Sequence, residues 1–159
     1  MAEWEDALKT FEEIVPHGDE SFMVLKAHLL AEHSLAQFVL ARAPAFEREL
    51  EDRNCPVRSG LALILLAQAL SMLDEVPSAN NDMMWPALKA LNSLRNDLAH
   101  NLYPNKEKLT ARMQQFISLV IGGPVDSKRN LNQDFRVCAQ TLVACLAIDR
   151  APLTIDDTR

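Results

Sequence analysis

Apolar residues recur at three- and four-residue spacing, in blocks separated by prolines, and this pattern constrains the fold more than any other feature of the chain. A period near 3.6 asks for helices that each bury one stripe, and proline, lacking an N–H, closes the blocks. Strands would need β-branched and aromatic residues with glycine-rich turns. Only 6% of the 159 residues are aromatic and four are glycine, while Leu and Ala recur throughout. The pattern predicts an all-α fold, a single bundle of about five to six helices.

Block by block, residues 3 to 15 read as an acidic amphipathic helix with Trp4, Leu8, Phe11 and Val15 on one face, closed by Pro16-His17-Gly18. A longer helix starts near Ser21, with Asp19 or Ser21 as its N-cap, and runs to about Arg42 before Pro44. Residues 45 to 53 can form a short helix, ended by Asn54-Cys55-Pro56. From Arg58 to about Glu75 the chain is apolar nearly all round, which predicts a central, buried helix. Pro77 to Asp82 reads as a loop, and the next helix begins near Pro86, as a first-turn proline would allow, and ends at Pro104. Residues 105 to 121 and about 130 to 149 form the last two helices. Gly122-Gly123-Pro124 lies between them, and Leu131, Phe135, Cys138, Leu142 and Cys145 share a stripe on the last. Residues 1 to 151 are expected to form one domain, with a flexible tail over 152 to 159.

The longest apolar run, Gly60 to Leu73, is shorter than the ~20 residues a bilayer span requires, so no membrane role is expected. No basic start leads into an apolar stretch and a cleavage site, so no secretory signal is expected and a cytoplasmic location is. The net charge of −6 is concentrated: residues 1 to 20 carry seven acids against Lys9, and the rest of the chain balances. Bulk attraction to nucleic acid needs a surplus of Lys and Arg, so a role on RNA would require a local site or a partner. Cys55, Cys138 and Cys145 form no CxxC pair, and Cys138 and Cys145 are seven apart on an apolar pattern. Buried free thiols are the expectation, with no metal site and no cofactor.

Phosphate-binding, metalloprotease, hydrolase and calcium-loop signatures are absent from the sequence. The one dense polar constellation is Leu91-Asn92-Ser93-Leu94-Arg95-Asn96-Asp97-Leu98-Ala99-His100-Asn101-Leu102-Tyr103. At 100° per residue, Leu88, Leu91, Leu94, Leu98 and Leu102 gather into an apolar stripe with Arg95 at its edge. Ala99, Asn92, Tyr103, Asn96, Lys89 and His100 follow on one contiguous sector. Asn96 and His100 stack four apart, where the amide can fix the imidazole tautomer. Arg95 and His100 lie about 140° apart, so they converge only through the Arg stem, a distorted helix end or a second subunit. On the long preceding helix, Phe22, Leu25, Leu29, Ala36 and Val39 read as the apolar face. His28 flanks that face, and Glu32 projects into it. A carboxylate there wants a cation, and Arg95 or Arg58 fits equally. His17 and His33 read as solvated. The structural alternative treats Asn96 and His100 as helix-end residues and Arg95 as a snorkelling or ion-paired side chain.

Arg95-Asn96-Asp97-Leu98-Ala99-His100 resembles the Arg-x4-6-His motif of the HEPN superfamily, in which a polar residue commonly follows the Arg. His28-Leu29-Leu30-Ala31-Glu32-His33-Ser34-Leu35 also resembles the long second helix of many bacterial members. The resemblance covers roughly residues 20 to 120, and the six-residue motif is its specific part. It implies a bundle of four or more helices, usually dimeric, with the Arg and His of both chains facing a shared cleft. Many such members are metal-independent endoribonucleases of toxin–antitoxin or anti-phage systems. Others are non-catalytic regulators resembling the mannitol operon repressor. In one toxin subgroup a nucleotidyltransferase modifies a Tyr two residues after the motif His; here Tyr103 follows His100 by three, a departure that puts its modification in doubt.

Two functions follow as expectations. The first is a ribonuclease, a toxin or defence component neutralised by an antitoxin of nucleotidyltransferase type. His100 would serve as acid and base, Arg95 would bind the phosphoryl oxygens and Asn96 would orient His100 or contact phosphate, with Glu32 and Tyr103 supporting. The second is a non-catalytic regulatory or protein-interaction module in which the same strip is structural. In either case the motif helix, about residues 86 to 102, is expected at a homodimer interface.

Overall fold

The structure is a computed structural model that describes residues 2–14, 19–52, 54–74, 80–100, 105–126 and 128–149. Within the first segment, side chains are described for Asp6 and residues 9–14. Among the described residues there are seven α-helices and no strand: α1 (Ala2–Ile14), α2 (Glu20–Arg42), α3 (Glu47–Glu51), α4 (Gly60–Ser71), α5 (Asn81–Ala99), α6 (Lys106–Ile121) and α7 (Leu131–Asp149). A 3-10 turn, Pro44–Phe46, joins α2 to α3. The all-α class is as the periodicity predicts, and the count exceeds the expected five to six by one.

Local chemistry sets most helix ends. Asp19 accepts the Phe22 N–H at 2.9 Å and is the N-cap of α2, the choice the sequence left open with Ser21. Asn105 caps α6 through the Lys108 N–H at 3.0 Å. At its far end Gly122 takes a left-handed conformation (φ +68°), and its N–H reaches the Ser118 carbonyl. One boundary differs: α5 begins at Asn81, and Pro86 sits inside it, exposed. Burial explains the earlier start. Met84 and Trp85 are core residues, Trp85 packs edge-on to Phe38 with ring centroids 5.9 Å apart, and its Nε1–H reaches Asn81 Oδ1 at 3.2 Å. These contacts require helix before the proline.

Helices α2, α5, α6 and α7 close into a ring, each packed on the next, with α1 laid against α7 and α4 in the groove between α2 and α5. The core inside the ring includes Phe38, Leu88, Leu91, Leu94, Met113, Phe116, Phe135 and Leu142. Phe116 and Phe135 stack across α6 and α7 at 5.0 Å. Phe135, Cys138, Leu142 and Cys145 are buried on the predicted α7 stripe, and all three cysteines are free. The outer helices are fastened by arginines. Arg136 of α7, 3% exposed, lies against the Phe11 ring and donates to Glu12 of α1 at 2.5 Å. Arg42, at the end of α2, donates to both oxygens of Asp74 and to the Asp149 carbonyl while covering the Phe38 ring at 3.6 Å.

Two predicted faces are corrected. On α2 the buried residues are Met23, Val24, Ala27, His28, Ala31, Leu35, Phe38 and Val39. Phe22 (48%) and Leu29 (56%) are exposed, and Leu25 and Ala36 only half-buried. The true stripe lies roughly a third of a turn from the predicted one. Because α2 is apolar around most of its circumference, periodicity alone could not choose the side; the close approach of neighbours favours the alanines. Helix α4 is not central. Only Leu63, Ile64, Ala67 and Ser71 are buried, because the four-helix ring encloses the core without it. No helix among the described residues is long and apolar enough to cross a membrane.

Candidate functional site

The antiparallel packing of α5 on α2 brings polar residues of both helices together inside an apolar surround. Asn92 is 8% exposed, one turn after Leu88, and His28 is 4% exposed on the facing side of α2. Their side chains meet at 3.2 Å, His28 Nε2 to Asn92 Oδ1. An amide oxygen only accepts, so the ring proton is on Nε2. The other ring nitrogen, Nδ1, lies 3.6 Å from Oε2 of Glu32, one turn along α2. The second oxygen of Glu32, Oε1, accepts the Gly60 N–H at 2.6 Å and so anchors the first residue of α4. Gly60 has φ +61°, and a Cβ there would stand 3.4 Å from Asn92 Oδ1. Three helices therefore meet at His28, Glu32, Asn92 and the Gly60 backbone.

Burial pushes the pKa of His28 below its ordinary 6.5; Glu32 and the bond to Asn92 act in the opposite direction, and the positive charge of Arg95 adds to the lowering. The imidazole is neutral near pH 7. Its role is to bridge α2 and α5, and its titration is tied to the packing of both.

The sequence-predicted residues fall in different places. Arg95 is half-buried, and its Nη1–H donates to Asn96 Oδ1 at 3.0 Å. His100 is exposed at the C-cap of α5, where its backbone N–H reaches the Asn96 carbonyl at 3.1 Å. The Asn96 amide therefore orients Arg95, not the His100 ring as expected. Since α5 stays helical through Ala99, Arg95 and His100 remain about 140° apart around it, and one chain does not bring them together. Glu32 pairs neither with Arg95 nor with Arg58: its carboxylate meets Gly60 N–H and His28, and Arg58 is exposed. A backbone donor and partial solvent access (21% exposed) satisfy it without a guanidinium. Tyr103 lies outside the described residues, as do His17 and Val15.

Beyond the motif, Asp97 binds Lys108 at 3.1 Å and Arg112 at 3.3 Å, holding α5 to α6 beside a shallow cleft over Leu94 and Leu98. Among the described residues no three His, Cys, Asp or Glu side chains converge as a metal ion would require. The central part of Asn92 and Gly60 was missed in the sequence. The available signals were an Asn bordering the leucine stripe, about 40° around the helix from Leu88, and one of only four glycines at a helix start. No protein family, curated protein or solved structure matches this chain.

Proposed function

We propose that the chain is a non-catalytic, HEPN-like interaction module, in which the Arg95–His100 segment is structural and helix α4 presents the contact surface. The observation that carries this reading is the uncharged outer face of α4. Leu61 and Leu65 are 49% and 48% exposed, Met72 and Leu73, just past the end of the helix, 78% each, and no charged residue occurs from Gly60 to Leu73. Surface apolar side chains scattered singly are ordinary, whereas a contiguous stripe of them marks a contact site. The internal Arg95–Asn96 bond and the separation of Arg95 from His100 support the same reading, as does the acidic charge balance.

A second reading, a metal-independent endoribonuclease, is favoured by the exposure of His100 and by the oriented guanidinium of Arg95. It requires a second copy to bring an imidazole to the Arg side of α5, and it carries the toxin and antitoxin expectations with it. Purified protein incubated with RNA, with and without EDTA, separates the two. The module reading expects no cleavage from the wild type, Arg95→Ala or His100→Ala, with His100→Ala stable to within about 0.5 kcal/mol. Cleavage that persists in EDTA, leaves 2',3'-cyclic phosphate ends and falls ~10²–10⁴-fold in His100→Ala would refute it.

A further inference from the structure

We propose that α4 is a strap over the groove between α2 and α5, latched by Glu32, which opens and melts as a unit while the ring of α2, α5, α6 and α7 stays folded. The ring is complete without it, since its four helices pack on one another around the core of Phe38, Leu88, Leu91, Met113, Phe116 and Phe135. Helix α4 lies outside, against α2 and α5, and only four of its twelve residues are buried: Leu63, Ile64, Ala67 and Ser71. Leu61 and Leu65 remain half exposed even when the helix is docked, so they add little to holding it. Segments with few buried apolar contacts are the ones that open below the free energy of global unfolding. A helix of twelve residues is marginal in water by itself, so α4 melts when it leaves the groove.

The polar fastening is concentrated at the first residue of the strap. Ser59, at the N-cap, makes no side-chain bond to the helix end. Glu32 takes that part from α2, its Oε1 accepting the Gly60 N–H at 2.6 Å. A Cβ on Gly60 would stand 3.4 Å from Asn92 Oδ1, so the same residue closes over the buried Asn92–His28 pair. Farther along, Lys89 Nζ donates to Gln68 Oε1 at 2.9 Å. Arg42 holds Asp74, three residues past the helix, and this pair tethers the strap beside its groove when α4 melts. In the closed form Leu61 and Leu65 stand one turn apart on one face, and melting disperses them. The latch therefore decides whether the contact face of α4 exists; that consequence rests on the interaction-module reading, whereas the opening itself does not.

Native-state hydrogen exchange of the full chain, resolved by residue, tests the strap. Amides in the second half of α4 should exchange at least ~10-fold faster, after correction for intrinsic rates, than the slowest amides of α5, α6 and α7. Phe116→Leu, which loosens the α6–α7 contact, should speed the ring amides and leave those of α4 unchanged, because the ring is intact in both the closed and the open form. Glu32→Ala removes the acceptor of a charge-assisted bond and should speed α4 exchange about 10-fold or more, with a smaller effect from Glu32→Gln, which can still accept. In the wild type, α4 amides as slow as the slowest of the ring overturn the separate opening. So does an α4 that accelerates in step with the ring in Phe116→Leu. An α4 indifferent to Glu32→Ala overturns the latch. RNA cleavage dependent on Arg95 and His100 would instead overturn the module reading, and it is read in a separate assay.

Discussion

His28 should make the stability of this protein depend on pH in a range where carboxylates are still ionised. Its pKa in the folded chain lies below the ordinary 6.5, chiefly through burial, with Glu32 and Asn92 opposing and Arg95 reinforcing the shift. Between those two pKa values the unfolded chain binds a proton that the folded chain does not, so stability rises with pH. The contribution of His28 is complete above about pH 6.5 and is lost as pH falls toward the folded-state value. One proton sets an upper limit of ~1.4 kcal/mol per pH unit. For a chain of this length that corresponds to a melting temperature falling by at most about 3–6 °C per unit. His28→Gln is the informative perturbation, since its amide N–H can replace Nε2–H toward Asn92 Oδ1 and does not titrate. Thermal melts by circular dichroism from pH 7.5 to 5.5 should show the slope in the wild type and a shallower one in the variant. The other three histidines, His17, His33 and His100, are common to both proteins, so the difference in slope belongs to His28. Equal slopes, or a wild type insensitive to pH across that range, would refute the account of His28 as a buried bridge.

Gly60→Ala places a Cβ on a residue with φ +61°, a conformation that costs an L-residue about 1–2 kcal/mol; the melting temperature should fall by about 2–8 °C, and an unchanged melt would contradict the left-handed start of α4. The Cys138 thiol is pushed up to about 11 by burial and the nearby Asp134, and burial raises Cys145 as well. A thiol reagent at pH 8 should therefore modify at most the half-buried Cys55 in the native protein and all three cysteines in denaturant; rapid reaction of two or more under native conditions would place the α7 stripe elsewhere.

Much of the architecture is legible in the residues themselves, because helix formation is a local matter of spacing and end chemistry. The α6 and α7 boundaries, the narrowing of the α2 cap to Asp19 or Ser21 and the buried Cys138 and Cys145 follow from side chains within a few positions of each other. Faces and partners do not. The sequence of α2 supports two apolar stripes, and only the approach of α5 and α7 selects the one containing His28 and Ala31 over the one containing Phe22 and Leu29. The residues of α4 are apolar on every side, which along the chain reads as a central helix; closure of the ring by α2, α5, α6 and α7 leaves it outside. The same holds for the polar groups. The angle of about 140° between Arg95 and His100 follows from their spacing once α5 is helical through Ala99, since helix geometry fixes it. That Glu32 is satisfied by a backbone N–H twenty-eight residues away, and Asn92 by a histidine sixty-four away, depends on which helices touch. Local sequence determines where helices begin and what they can bury; contacts between distant segments decide what they do bury, because that free energy exists only once the chain has closed.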